Sequence, residues 1–179
     1  MSDFYNVDWL EKTAINLFYG WGYNFYRQEN QLRADDQLIR GKAGWLLGSA
    51  RKSVEIAEAG YRREFLPPPS REKPRPDAAA VAGAQTIERL AHDIGAVAGL
   101  VASQPVPEND RMTQRYRNEA ATLQQLAQCD QLLVGQAELL RSMLDQKAGP
   151  WLIENASAVQ EGVTALNETL RKRRTALLY

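Results

Sequence analysis

The sequence predicts an all-α fold, a bundle of four or five long antiparallel helices. Its eight prolines fall in only three places, residues 67–76, residues 105–107 and position 150. Because proline breaks helices, the proline-free segments between these places favour long helices. Those segments are residues 1–66, 77–104, 108–149 and 151–179. No sustained alternation of Val, Ile and Thr and no Asn-Gly or Asp-Gly turn indicates a strand or a hairpin.

The last three segments repeat their apolar residues at alternating spacings of four and three. The repeats run from Ala80 to Val101, from Met112 to Leu144 and from Leu152 to Leu177. This spacing places one apolar stripe on one face of a helix, and such a stripe is buried against neighbouring helices. Each of these segments is therefore predicted to form one helix of the bundle.

The first segment is less regular and predicts two helices. Residues 7–19 form a short amphipathic pattern, and a longer helix is predicted from about Leu32 to Phe65. Gly41, Gly44 and Gly48 lie close together on one side of that longer helix. Since a glycine inside a helix costs about 1 kcal/mol relative to alanine, these three favour close approach of another helix. A kink or break near residue 44 is the alternative.

Local signals predict where some helices begin and end. Asp77, directly after a proline, is a plausible N-cap for the second segment. In the short connection 147–151, Gly149 is predicted to close one helix in a left-handed conformation and Pro150 to open the next. A connection this short makes the two flanking helices antiparallel neighbours.

The chain is therefore divided into two helical parts and a linker. Residues 1–66 form an aromatic-rich helical part, and residues 67–76 form an extended, proline-rich linker. Residues 77–179 form an antiparallel three-helix unit, which we expect to make one domain with residues 1–66. The length of 179 residues fits one such domain.

The charge pattern argues against a nucleic-acid partner. Lys and Arg number 22 and Asp and Glu number 22, so the net charge is zero, and the ranges 1–66, 67–105, 106–149 and 150–179 are each balanced to within one charge. The single dense basic run, Arg171–Arg174, is expected to interact with the negative end of the last helix. Without a basic surface the chain has no means of holding a phosphate backbone.

The sequence also lacks the residues that enzymes and metal sites need. One Cys and one His exclude a Cys-rich zinc site and a di-iron site. Cys129 lies within a helical pattern as a small packing residue, and His92 reads as a surface residue. No glycine-rich phosphate loop is present. We therefore expect no enzyme, no cofactor and no metal, with chemistry on scattered carboxylates such as Glu119 as a distant alternative.

No membrane or export signal is apparent. The longest uncharged stretch near the start, Thr13–Tyr26, is shorter than the ~20 apolar residues of a membrane-spanning helix. The first residues lack the basic region of a secretory signal. With a single Cys and no paired thiols, the expected location is the cytoplasm and no transmembrane segment is predicted.

Aromatic residues are concentrated near the start of the chain. Nine of the 15 Trp, Tyr and Phe residues lie within the first 26 positions. Rings at consecutive positions point to all sides of a helix, so either this segment is enclosed on several sides or some rings are exposed. Exposed Trp and Tyr commonly anchor protein interfaces. The candidate protein-binding residues are Phe18, Tyr19, Trp21, Tyr23, Phe25 and Tyr26.

Two charged residues interrupt the apolar stripes at matching levels. If the chain folds back at residue 149, Asp130 and Arg173 differ in level by only about 7 Å at 1.5 Å per residue. A long Arg side chain covers that difference. The sequence predicts a contact between Asp130 and Arg173 that fixes the register of the two helices.

These observations favour a non-enzymatic function. The leading hypothesis is a helical adaptor, chaperone or assembly subunit that contacts another protein, or a second copy of itself, through the aromatic N-terminal segment. The alternative is a bundle that binds an apolar or aromatic small molecule between its first two helices, near Trp21 and Trp45.

Overall fold

The fold is that of a computed structural model, which describes residues 2–18, 32–71, 74–104 and 119–178. These residues contain a 3₁₀ turn and six α-helices and no strand. The elements are the turn Asp3–Tyr5, α1 Val7–Phe18, α2 Leu32–Phe65, α3 Ala78–Ala102, α4 Glu119–Leu144, α5 Gly149–Glu154 and α6 Ala156–Leu178. The predicted all-α bundle of antiparallel helices is confirmed.

Four long helices form the body of the bundle. α2 packs on α3 and α4, and α6 packs on the same two helices, so α2 and α6 lie diagonally across the core. α2 and α3 are antiparallel, since Arg62 pairs with Glu88 near one end and Arg40 bonds the backbone of Gln104 near the other. α1 packs on the outside of α4, and the short α5 contacts α2 and α3.

The core is built from the apolar stripes that the sequence predicts. In α4 the stripe residues Leu126, Leu133, Ala137, Leu140 and Leu144 are all buried. The stripe of α2 is buried from Ile39 to Tyr61, whereas Phe65 at its end is 40% exposed. Burial of these stripes is the main favourable contribution to folding.

The described residues do not give the glycines of α2 the close helix neighbour that the sequence suggests. A Cβ added at Gly41, Gly44 or Gly48 meets no atom of another helix within 4 Å, as far as the structure is described. α2 is continuous through residue 44, so the alternative of a break there is wrong. Close approaches occur at other glycines, including Gly135, where a Cβ would lie 2.5 Å from the carbonyl oxygen of Leu10.

The helix ends confirm some of the predictions and correct others. Oδ1 of Asp77 accepts a hydrogen bond from the backbone N–H of Ala79 at 3.3 Å, so the predicted N-cap is confirmed. Pro150 lies in the first turn of α5, as predicted. The left-handed residue after α4 is Gln146, with φ 53°, and not Gly149, which begins α5.

The last segment forms two helices and not one. The chain turns at Asn155, whose Nδ2 donates a hydrogen bond to the carbonyl oxygen of Trp151 at 2.9 Å. An amide side chain that bonds the backbone in this way competes with helix continuation. The short α5 therefore closes one end of the bundle before α6 runs back along α4.

Candidate functional site

The predicted aromatic interface is described only at its first residue. Phe18 is 4% exposed and lies in the core, so its ring is not available to a partner. This corrects the prediction for Phe18. The other candidates, Tyr19, Trp21, Tyr23, Phe25 and Tyr26, lie outside the described residues, and their role as an interface stays a prediction.

A second apolar surface lies on the outer side of α2. Leu38, Trp45 and Ile56 are 42%, 61% and 62% exposed. They are separated by seven and eleven residues, which are close to two and three helical turns, so they share one face of the helix. We call this row the outer face of α2. Most exposed apolar residues of a monomer are scattered, whereas these three are aligned.

The outer face of α2 also exposes helix backbone. Gly41, Gly44 and Gly48 leave open space beside Trp45, along about 10 Å of helix at 1.5 Å per residue. Nζ of Lys42 lies 5.0 Å from the centroid of the Trp45 ring, a cation–π contact that favours one orientation of the ring. The face therefore combines a large aromatic side chain with a shallow backbone trough.

Sequence reasoning missed this face, although a signal was present. Leu38, Trp45 and Ile56 are the large apolar residues of α2 that do not belong to its buried stripe. An apolar residue that falls off the stripe of an amphipathic helix is a candidate contact residue. The aromatic cluster within the first 26 residues is denser, so the predicted interface was placed there and not on α2.

A buried ion network lies at the opposite side of α2. Nε of Arg173 donates a hydrogen bond to Oδ1 of Asp130 at 2.7 Å, which is the contact that the sequence predicts. Nη2 of the same guanidinium donates to Oδ1 of Asp36 at 2.5 Å, a contact the sequence did not suggest. All three side chains are fully buried. Arg173 thus joins α6 to both α4 and α2.

Arg40 extends the network to a fourth helix. Its Nη2 lies 2.6 Å from Oδ2 of Asp36, four residues earlier on the same helix. Its Nη1 donates hydrogen bonds to the carbonyl oxygens of Ala102 and Gln104 at 3.2 and 3.3 Å. A guanidinium satisfies the free carbonyls and the negative end of α3. Two carboxylates and two guanidinium groups therefore balance each other in the interior.

A polar chain fixes the N-terminal turn to the bundle. Oγ1 of Thr169 donates a hydrogen bond to Oε1 of Gln136 at 2.9 Å, and Nε2 of Gln136 donates to the carbonyl oxygen of Phe4 at 3.0 Å. The Phe4 ring lies against Gly162, where a Cβ would come within 2.6 Å of it. This part of the structure serves packing, because each buried polar group in it has a partner.

The remaining reactive side chains have ordinary surroundings. Burial raises the pKa of the half-buried Cys129 thiol, and the charge of Asp130 adds to this, whereas Arg173 and Lys172 act in the opposite sense. A thiol with a raised pKa is a poor nucleophile at neutral pH. His92 is exposed on α3. Within the described ranges, no group of three or more His, Cys, Asp or Glu residues is placed to hold a metal ion.

The sequence also predicts a small-molecule site between the first two helices, near Trp21 and Trp45. Among the described residues, α1 packs on α4 and Trp45 is 61% exposed. Trp21 lies outside the described residues, so the small-molecule site between the first two helices stays a prediction. A shallow groove of about 490 Å³ lies beside the N-terminal turn. It is lined by Ser2, Asp3, Phe4, Leu139, Ser142, Met143, Ala158 and Glu161.

Comparison with known proteins adds no assignment. No family model, curated protein or solved structure matches the chain. Among the helices that the structure describes, none combines the length and the apolar character that crossing a membrane requires.

Proposed function

We propose that this chain is a non-enzymatic helical protein that acts by contact with another protein, as an adaptor, chaperone or assembly subunit. The observation that carries the proposal is the outer face of α2, where Leu38, Trp45 and Ile56 are exposed in one row beside open glycines. We further propose that it works in the cytoplasm, on the sequence argument that its single Cys forms no intramolecular disulfide.

The energetics of the exposed row support a docking role. Burying apolar surface yields about 25 cal/mol per Å², and Trp is among the residues that most often dominate the binding energy of interfaces. Trp45 offers a large apolar surface that the described part of the chain leaves exposed at 61%. A partner that covers this ring therefore gains free energy from desolvation.

The open glycines of α2 also support a docking role. Each glycine inside a helix costs about 1 kcal/mol relative to alanine, and Gly41, Gly44 and Gly48 obtain no packing from the described neighbours. Glycine on a helix face allows another backbone to approach closely. A partner helix or strand that lies in this trough would offset the intrinsic cost.

The zero net charge indicates that such a partner is bound through apolar burial and not through long-range electrostatic attraction. With 22 basic and 22 acidic residues the chain has no net field to steer association. Binding by apolar burial depends weakly on ionic strength, whereas binding by charge weakens steeply. The affinity for the partner is therefore expected to change little with salt.

Site-specific photo-crosslinking in the cells that make the protein tests the proposal. A benzophenone amino acid replaces Trp45 or Ile56 in the full chain. Two matched control positions are Trp9 on α1 and Leu100 on α3, which are 42% and 48% exposed. We expect adducts of one defined mass from positions 45 and 56 and none from positions 9 and 100. Equal yields at all four positions, or none at position 45, would overturn the proposal.

A further inference from the structure

Three basic side chains lie along the outer face of α2. Counted at about 100° per residue, Lys52 and Arg63 lie within about 20° of the direction of Trp45, and Lys42 lies about 60° to one side. Lys52 and Arg63 are exposed, whereas Lys42 is half-buried beside the Trp45 ring. The three follow each other at intervals of 10 and 11 residues, which is about 15–17 Å along the helix axis. A row of positive charges therefore accompanies the apolar row.

The carboxylates of α2 do not neutralise this row. Glu55 and Glu58 are each paired with an arginine of the same helix at 2.7 Å. They lie about 80° and 140° round the helix from Trp45. Within the part of the chain that the structure describes, neither Lys52 nor Arg63 forms an ion pair with a carboxylate. The outer face of α2 is therefore locally positive, although the whole chain is neutral.

This charge pattern argues against a second copy of the chain as the occupant. A two-fold interface brings the same face of each copy together. Such an interface would hold three cations from each copy, and the described side chains of this row supply no carboxylate to pair with them. Juxtaposed like charges are unfavourable and suppress association. An occupant that carries carboxylates fits the face better than a second copy does.

The open glycines distinguish a protein from a lipid surface. A helix that binds a membrane buries protruding apolar side chains among the lipids, and glycine offers no such side chain. Gly41, Gly44 and Gly48 instead leave open space along about 10 Å of helix. Another polypeptide backbone can approach closely at such positions. The trough beside Trp45 therefore favours a peptide over a membrane.

We propose that the outer face of α2 binds an acidic amphipathic helix of another protein. Apolar side chains of that helix cover Trp45 and Ile56, and Asp or Glu side chains at the edge of its apolar stripe pair with Lys52 and Arg63. This inference rests on the proposed docking function and adds the chemistry of the partner. Each exposed ion pair changes affinity by about 1.5- to 5-fold. The cations thus select among apolar partners, while burial supplies most of the binding free energy.

Charge reversal combined with photo-crosslinking in cells tests this chemistry. The full chain carries the benzophenone amino acid at position 56, so that Trp45 is kept. One variant adds Lys52→Glu and Arg63→Glu. The matched control adds Lys12→Glu and Arg171→Glu, which make the same change in net charge at exposed positions on α1 and α6.

We expect reversal at positions 52 and 63 to lower the adduct yield at least fivefold, because two attractions become repulsions. The control should keep the parent yield, and circular dichroism should show unchanged helical content in both variants. A milder variant, Lys52→Gln with Arg63→Gln, removes the charges without adding carboxylates beside Glu55 and should give an intermediate yield. The crosslinked peptide of the partner, sequenced by mass spectrometry, should show an apolar helical repeat bordered by Asp or Glu.

The outcomes separate this inference from the docking proposal. Equal yields from the reversed, neutral and control variants would overturn the acidic partner and leave docking standing. No adduct from position 56 in the parent chain would overturn both. An adduct of twice the chain's mass would identify a second copy and overturn the acidic partner.

A lipid surface is tested separately with the purified full chain. The chain is sedimented with vesicles of phosphatidylcholine and phosphatidylserine, and we expect it to stay in the supernatant. Sedimentation with the vesicles that is lost on Lys52→Glu and Arg63→Glu would overturn the inference in favour of an anionic membrane.

Discussion

Tyr61 of α2 packs directly against the backbone of Gly149, the first residue of α5. A Cβ placed on Gly149 would lie 2.7 Å from the Cβ of Tyr61, and the Tyr61 hydroxyl lies against Gly83 in the same way. One aromatic side chain thus joins α2, α3 and α5 at the end of the bundle opposite to the ion network. Gly149 is required for this packing, and not for a left-handed turn.

The first prediction concerns this contact. Gly149→Ala should destabilise the chain by about 1–3 kcal/mol, because overpacking a filled site forces neighbouring atoms to move. Chemical denaturation followed by circular dichroism measures the change. Wild-type stability in this variant would show that α5 shifts freely and that the close contact carries no constraint.

The glycines of the outer face of α2 should behave in the opposite way. Gly41→Ala and Gly48→Ala have open space for the added methyl group, and each is expected to stabilise the isolated chain by about 1 kcal/mol through helix propensity. The same substitutions should lower the photo-crosslinking yield at position 45, since they fill the trough. A loss of stability in either variant would mean that another part of the chain packs there.

The ion network predicts a strong asymmetry between breaking and replacing it. Arg173→Met alone removes the guanidinium that bonds both buried carboxylates, Asp36 and Asp130, and should cost about 3–5 kcal/mol. Adding Asp36→Leu and Asp130→Leu should recover a large part of that loss, although Arg40 then keeps only its bonds to the carbonyl oxygens of Ala102 and Gln104. Urea denaturation of the single and triple variants gives both numbers. A triple variant no more stable than Arg173→Met would contradict this reasoning.

Cys129 predicts a dependence of stability on alkaline pH. Its pKa is raised in the folded chain, first by burial and then by the charge of Asp130. The unfolded thiol therefore loses its proton at a lower pH than the folded one, so stability should fall as pH rises above the ordinary thiol pKa. Cys129→Ala should lose less stability than wild type over that range. Parallel curves for the two proteins would count against a buried thiol.

The helices could be predicted because apolar spacing and proline positions are local features of the sequence. The range Leu32–Phe65 for the second helix agrees with α2 as observed, since apolar spacing and the absence of proline determine both. The Asp130–Arg173 contact was also predictable. Both residues interrupt apolar stripes. Counting residues in each direction from the chain reversal near residue 149 places them at similar heights along the bundle.

Other features depend on which helices become neighbours, and a single helical pattern does not contain that information. Asp36 has a satisfactory partner in Arg40 four residues later, so nothing in the sequence points to its bond with Arg173. The role of Gly149 depends on Tyr61, which is 88 positions away in the chain. From the sequence alone, Gly41, Gly44 and Gly48 suggest packing positions. Only the structure shows that no described neighbour lies against them.

The most direct test of the docking proposal compares two tryptophans. Hydroxyl-radical footprinting, in cells and on the purified chain, measures how accessible Trp45 and Trp9 are; in the isolated structure they are 61% and 42% exposed. We predict that oxidation of Trp45 falls severalfold in cells relative to the purified chain, while oxidation of Trp9 stays the same. Equal oxidation of Trp45 in both settings would contradict the proposal that the outer face of α2 binds a protein.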